Sequence, residues 1–168
     1  MAYRWKGPVL KRGLFWGISC ALLLWLGLKL WPNDERLIRK QLAALAQTAS
    51  IRPKESALAR LANANKLVEF FTPDVTAQIE GTDIAVNDRK DLREAVLAAQ
   101  ANLHQADIHL VDIHIRFPPE KSPAIVYLTA VAHLDGQTNA FAGDLKLTLK
   151  KVERQWLIFR VESLSLGE

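Results

Sequence analysis

Residues 124–149 read Ala124-Ile-Val-Tyr-Leu-Thr-Ala-Val-Ala-His-Leu134, then Asp135-Gly136, then Gln137-Thr-Asn-Ala-Phe-Ala-Gly-Asp-Leu-Lys-Leu-Thr-Leu149. Two alternating runs flank an Asp-Gly step, and Asp-Gly favours a two-residue hairpin turn because both central positions need positive φ. Such a turn pairs Leu134 with Gln137, Ala132 with Asn139, Ala130 with Phe141, Leu128 with Gly143, Val126 with Leu145 and Ala124 with Leu147. The shared face is apolar over most of its length, which supports the register independently.

The run before it, about Gln105 to Phe117, joins the sheet when Phe117 pairs with Ala124 across the proline-rich segment 118–123. Val111, Ile113, Ile115 and Phe117 then point to the apolar face. The same parity carries His109 and Asp107 to that face, beside Ala132 and Asn139. Ala130, Ala132 and Gly143 are small, so helices above them leave space, and a pocket with floor Ala130, Ala132, Phe141 and Gly143 is expected. Its mouth is Asp107, His109, Gln137 and Asn139, and Asp107 and His109 can orient each other as an acid/base pair. Strand ends also turn polar simply where they leave a core, and the residues leave both readings open.

The opposite face mixes Asp112, His114, Arg116, Asp144 and Lys146 with Tyr127, Thr129, Val131 and Ala140. That mixture suits a solvated face or a dimer contact, with Tyr127, Thr129, Val131 and Ala140 as the candidate contact residues. A last strand, Gln155 to Ser163, is apolar on both sides, as a doubly covered strand would be.

Upstream the period is helical. Asn33, with Asp34 and Glu35 after it, begins a helix whose stripe is Leu37, Ile38, Leu42, Leu45 and Ala49. Pro53 suits the first position of a second helix carrying Leu58, Leu61, Ala64, Leu67, Val68 and Phe71 inward, with Pro73 ending it. Val75 to Ile79 reads as a short strand and Gly81-Thr-Asp as a turn. Asn87 or Asp88 caps a third helix with Leu92, Ala95, Val96, Ala99 and Leu103 inward. Three helices followed by a mostly antiparallel sheet define an α+β domain with its helices on one face.

Before all of this stands the apolar run Leu14 to Trp31, about 27 Å long as a helix and close to the roughly 30 Å bilayer core. Trp16 and Trp31 lie near its ends, Lys29 can snorkel to the headgroups, and Pro32 ends it. Arg4, Lys6, Lys11 and Arg12 precede it without an acidic residue, so the N-terminus is expected in the cytoplasm and the rest outside it. The run lacks the small-residue cleavage site of a secretory signal and reads as an uncleaved anchor. Cys20 lies within the run, not after it, so it is no lipid-attachment site. The organisation is a cytoplasmic tail (1–13), a transmembrane helix (14–31) and a globular domain (32–168) in a bacterial inner membrane.

The chain has 22 Lys and Arg against 18 Asp and Glu, yet five of the basic residues precede Pro32, leaving 17 against 18 in the domain, a net of −1. The basicity is a topology signal, and no nucleic-acid partner is expected. With no cysteine outside the run, the domain holds together without disulfides. No Gly-rich phosphate loop, no Gly-x-Ser-x-Gly and no metal-ligand spacing occurs, so no cofactor or metal is expected. His104, His109 and His114 recur every five residues, which fits neither one helical face nor one strand face.

The order of elements resembles the nuclear transport factor 2-like superfamily, its SnoaL-like branch most of all. The residues that carry the likeness are Asn87-Asp-Arg-Lys-Asp-Leu-Arg-Glu-Ala-Val96 after a short strand, and Leu145-Lys-Leu-Thr-Leu-Lys-Lys-Val-Glu-Arg-Gln-Trp-Leu-Ile158 with its Trp156-x-Ile158. The resemblance spans about Ile51 to Leu164. It implies a cone-shaped domain, a pocket between curved sheet and helices, and dimerisation through the sheet. The superfamily's catalytic Asp, His and Tyr align with no position here, so no role is carried over. The anchored layout resembles the bitopic scaffold subunit of type IV secretion systems, which acts by assembly. The expected function is a membrane-anchored, extracytoplasmic, non-catalytic binding or assembly module. The alternative is a lyase, isomerase or carrier for a small apolar ligand, working through Asp107, His109 and Asn139.

Overall fold

The structure is a computed structural model that describes residues 34–78, 85–119, 122–135 and 139–164. The basic tail, the run 14–31 and the turn at Gly81 lie outside the described residues. Among the described residues no helix is long and apolar enough to cross a membrane. The chain divides into two compact units, Met1–Arg36 and Leu37–Glu168.

Three helices, α1 (Asp34–Ala49), α2 (Ala57–Val68) and α3 (Arg89–Asn102), accompany six strands. These are β1 (Phe71–Gln78), β2 (Ala85–Val86), β3 (Ala106–Arg116), β4 (Ala124–Leu134), β5 (Phe141–Val152) and β6 (Gln155–Leu164). They form one sheet in the order β2-β1-β6-β5-β4-β3, antiparallel except for β1 beside β6. Ile38 and Leu42 of α1 and Leu67 of α2 pack with Ala124, Val126, Leu128, Leu147, Leu149, Trp156 and Ile158 in one apolar core. Each of the larger aliphatic side chains among them contributes about 1.5–3 kcal/mol when taken from water. Gln41 of α1 also donates its side-chain amide to the Trp156 carbonyl, fixing helix against sheet.

Helix starts follow local chemistry. Asp88 caps α3, its carboxylate accepting the Asp91 N–H at 2.8 Å. Helix α2 does not begin at Pro53: Lys54 adopts a φ of 64°, and the helix starts at Ala57, where the Ser56 hydroxyl accepts the Ala59 N–H at 3.2 Å. Its inward stripe is also narrower than expected. Arg60 Nη1 donates to the Gln100 carbonyl of α3 at 2.6 Å, and in that orientation Ala64 and Leu67 are buried while Leu58 is 77% exposed. The helix stops at Val68 rather than Pro73, and Phe71 is buried as the first residue of β1.

The hairpin between β4 and β5 slides two residues from the register that an Asp135-Gly136 turn would set. Ala124 pairs with Leu149, Val126 with Leu147, Leu128 with Leu145, Ala130 with Gly143 and Ala132 with Phe141. An even slide keeps every side chain on its expected face and places three leucines of β5 against three apolar residues of β4. Hydrophobic pairing thus overrides turn preference. A two-residue turn does occur one hairpin later, where Val152 pairs with Gln155 and Glu153 and Arg154 have φ of 47° and 76°.

Two bulges reverse the parity of the strand residues beyond them. In β6, Leu149 pairs with Ile158 and Thr148 with Arg160, so Phe159 is the extra residue and Val161 joins Trp156 and Ile158 on the core side. In β3, Val111 pairs with Thr129 but His114 with Tyr127, so two residues, Asp112 and Ile113, stand opposite Leu128 alone. Asp112 has a φ of 52°, a left-handed conformation that Asp accepts better than most side chains.

Two leucines calibrate this packing. Leu149→Ala is expected to lower unfolding stability by about 2–5 kcal/mol and Leu58→Ala by less than about 0.5 kcal/mol, read by denaturant unfolding of the full chain in mild detergent. The bulge gives a second prediction. Asp112→Gly should leave the midpoint unchanged or raise it, whereas Asp112→Val, forced into a left-handed conformation, should cost about 1–3 kcal/mol in the same assay.

Candidate functional site

The β3 bulge decides where the expected site residues go. On its N-terminal side Ile108 pairs with Ala132 and Leu110 with Ala130, while Asp107 pairs with His133, His109 with Val131 and Val111 with Thr129. Directly paired residues share a face, so Ile108 and Leu110 take the core side. Asp107 and His109 point to the other side, away from the expected pocket. This corrects the expected mouth: one extra residue at Asp112 reverses the parity that Ile113 and Ile115 establish beyond it. The pair does form, with Nε2 of His109 at 3.1 Å from Oδ2 of Asp107, but the side chains are 56% and 59% exposed. His133 completes an outward cluster, its ring edge-on to His109 at 6.2 Å. Asn139 is exposed in the segment between β4 and β5, and Gln137 lies outside the described residues.

The four residues expected as a floor are neighbours in the sheet. Ala130 pairs with Gly143 and Ala132 with Phe141 on the core-side face. A Cβ placed on Gly143 would meet no atom within 4 Å, and Phe141 is 53% exposed, so this end of the face is open. On the outward face Tyr127, Thr129 and Val131 lie together, whereas Ala140 precedes β5 and belongs to no strand. That face is dressed by its own polar groups. Thr129 donates to Asp144 at 2.6 Å, Lys146 pairs with Glu162 at 2.9 Å, and Arg116 lies 5.4 Å from the Tyr127 ring.

A groove of about 780 Å³ runs between α1 and the edge strand β3. Its construction begins where α1 ends. Ile51 and Ala106 exchange backbone hydrogen bonds of 2.7 and 3.1 Å, and the Ser50 hydroxyl accepts the Ile108 N–H at 3.0 Å. Helix and strand are thereby clamped at one end, and the alanines at 43, 44 and 46 hold no bulk between them. Ile108, Leu110 and Ile113 form the strand side. Two of these are the direct partners of Ala132 and Ala130, so the groove wall and the small-residue floor are neighbouring rows of one apolar surface.

Arg39, Lys40 and Arg52 line the groove, and so do Asp107 and its partner His109, the outward-facing residues of the edge strand that alternate with Ile108 and Leu110. Sequence reasoning missed the groove because it kept one parity through β3. The signal was present: Ile108 and Leu110 are even, and Ile113, Ile115 and Phe117 are odd, a switch that requires one extra residue near 111–112. Among the described residues no group of three or more His, Cys, Asp and Glu is placed to hold a metal ion.

No protein-family model and no curated protein matches the sequence. Solved structures do match the fold. A nuclear transport factor 2-like protein with a cystatin-like fold from Novosphingobium aromaticivorans superposes with a TM-score of 0.62 at 14% identity, covering 90% of this chain and 90% of that one. A nuclear transport factor 2-like protein of unknown function from Pseudomonas putida gives 0.64 at 8% identity, covering 80% and 88%. A putative scytalone dehydratase from Novosphingobium aromaticivorans gives 0.58 at 15% identity, covering 77% and 82%. This chain has the α+β cystatin-like fold of the nuclear transport factor 2-like proteins.

Proposed function

We propose that this protein is a membrane-anchored, extracytoplasmic binding module that holds a small, largely apolar ligand in the groove between α1 and β3 without transforming it. The observation that carries the reading is the character of the groove's lining. Ile108, Leu110 and Ile113 present an apolar wall, whereas Asp107 and His109, which line it as well, are bonded to each other and more than half exposed. General acid/base chemistry needs the proton-moving group within about 3 Å of the reacting atom or one water away. The groove's volume falls within the range of small-molecule sites, about 300–1,000 Å³. Anchoring rests on the apolar run 14–31 and the basic residues before it. Solved proteins of this fold include a putative scytalone dehydratase and a protein of unknown function, so the fold does not fix the chemistry and the site must.

Thermal unfolding of the full chain in neutral nanodiscs against a metabolite library tests this. A ligand at 100 times its dissociation constant adds about 2.7 kcal/mol, a shift of several degrees for a domain of this size. The shift should survive His109→Ala and vanish in Ala44→Trp, which fills the groove. A hit that is chemically converted, with conversion lost in His109→Ala, overturns the non-catalytic reading.

Topology is checked separately. Alkaline phosphatase fused after Glu168 should be active in the bacterial envelope and β-galactosidase at the same point inactive; the reverse pattern removes the anchor orientation.

A further inference from the structure

We infer that the occupant of the groove is an amphiphilic anion, a single negatively charged headgroup on a long apolar tail. The inference rests on the binding reading above and adds the ligand's chemistry. Three cations line the groove, Arg39, which has a partner within the protein, Lys40 and Arg52, against one carboxylate, Asp107, in contact with His109, itself a lining residue. The domain as a whole is close to neutral, at 17 basic against 18 acidic residues, so this concentration of positive charge is a property of the groove and not of the surface in general. Arginine presents a planar fork of donors to a carboxylate or phosphate.

Charge alone would suit any small anion, and the apolar surface sets the rest. From Ile113 along β3 to Leu110 and Ile108, the apolar row continues across the strand pair to Ala130 and Ala132, then to Gly143 and Phe141. Gly143 has open space above it and Phe141 is half exposed, so the track does not end at the groove's own limit. An elongated apolar track with cations at its rim matches a fatty-acid-like molecule. It would leave most of a compact polar metabolite without contact. The headgroup chemistry is shared by a free long-chain carboxylate and by an anionic phospholipid of the surrounding bilayer.

The test uses the full chain in phosphatidylcholine nanodiscs with a diazirine-bearing palmitate, followed by mass spectrometric mapping of labelled peptides. Labelling should fall within residues 39–53 and 105–113. It should drop about tenfold in the triple variant Arg39→Gln, Lys40→Gln, Arg52→Gln, in line with loss of charge-assisted hydrogen bonds, and be lost in Ala44→Trp. Unfolding midpoints of both variants identify any that fail to fold, and the other then carries the comparison. Equal labelling of the groove by an uncharged diazirine hexadecanol, or labelling unchanged in the triple variant, overturns the inference. Repeating the assay in nanodiscs containing phosphatidylglycerol separates the sources: competition assigns the bilayer's anionic lipid, and its absence assigns the free acid. Should palmitate fail while a metabolite hit still depends on Ala44, the binding reading stands and the amphiphile falls. Should no compound depend on Ala44, both fall.

Discussion

A strand side chain can point to only one of two faces, and in this protein that constraint turns on the extra residue that β3 carries at Asp112. Before it, even-numbered residues face the helices; after it, odd-numbered ones do. The bulge lets Ile108 and Leu110 share a face with Ile113 and Ile115 although the intervals between them are not all even. Without it, either half of the strand could contribute to the apolar layer, but not both. The left-handed φ of Asp112 is the local cost, and the packed layer of Ala124, Val126, Leu128, Leu147 and Leu149 is what holds the residue there.

Most of the architecture was legible because it depends on periods longer than one residue. The helical stripe of α1 through Ile38 and Leu42 and the alternation of the strands each repeat a signal several times, and a single exception such as the exposed Leu37 cannot erase it. The faces of β4 and β5 were legible even though their register was not, since the slide was even. What failed was decided by single residues in competition with tertiary packing. Ser56, not Pro53, starts α2; leucine pairing across β4 and β5 outweighs the Asp-Gly step; and Arg60 with Gln100 fixes the roll of α2, leaving Leu58 outside. The candidate site divided along the same line. Ala130, Ala132, Phe141 and Gly143 depended on parity within one hairpin and share a face, whereas Asp107 and His109 depended on parity carried through β3 and lie on the opposite face from them.

The edge of the sheet explains why the groove exists. An unprotected edge strand invites pairing with another chain. Here β3 is the last strand in the order, and its start is occupied by the Ile51 bridge and the Ser50 hydroxyl, while the bulge interrupts the straight run beyond Leu110. The segment that guards the edge is also the one that leads out of α1, so the device that blocks strand addition sets the helix over the strand at a fixed spacing. Strand-on-strand assembly is therefore a poor use of this edge. A ligand that needs surface rather than backbone partners is a better one.

The outward face carries the converse argument. Tyr127 has Arg116 beside its ring, Phe159 has Lys150 at 3.4 Å, and Thr129 and Lys146 are tied to Asp144 and Glu162. The two cation–ring contacts cover apolar surface with the stem of a charged side chain while keeping its head in water. A second protein docking there would have to displace groups that are already partnered. On the core side, among the described residues, a Cβ on Gly143 would meet no atom within 4 Å, and Phe141 stays half exposed. The two faces of one sheet thus differ less in composition than in what has been done with their apolar residues: dressed with charge on one side, left open on the other. Where a fold leaves apolar surface uncovered beside a set of cations, the molecule that completes it should supply both a tail and a negative charge.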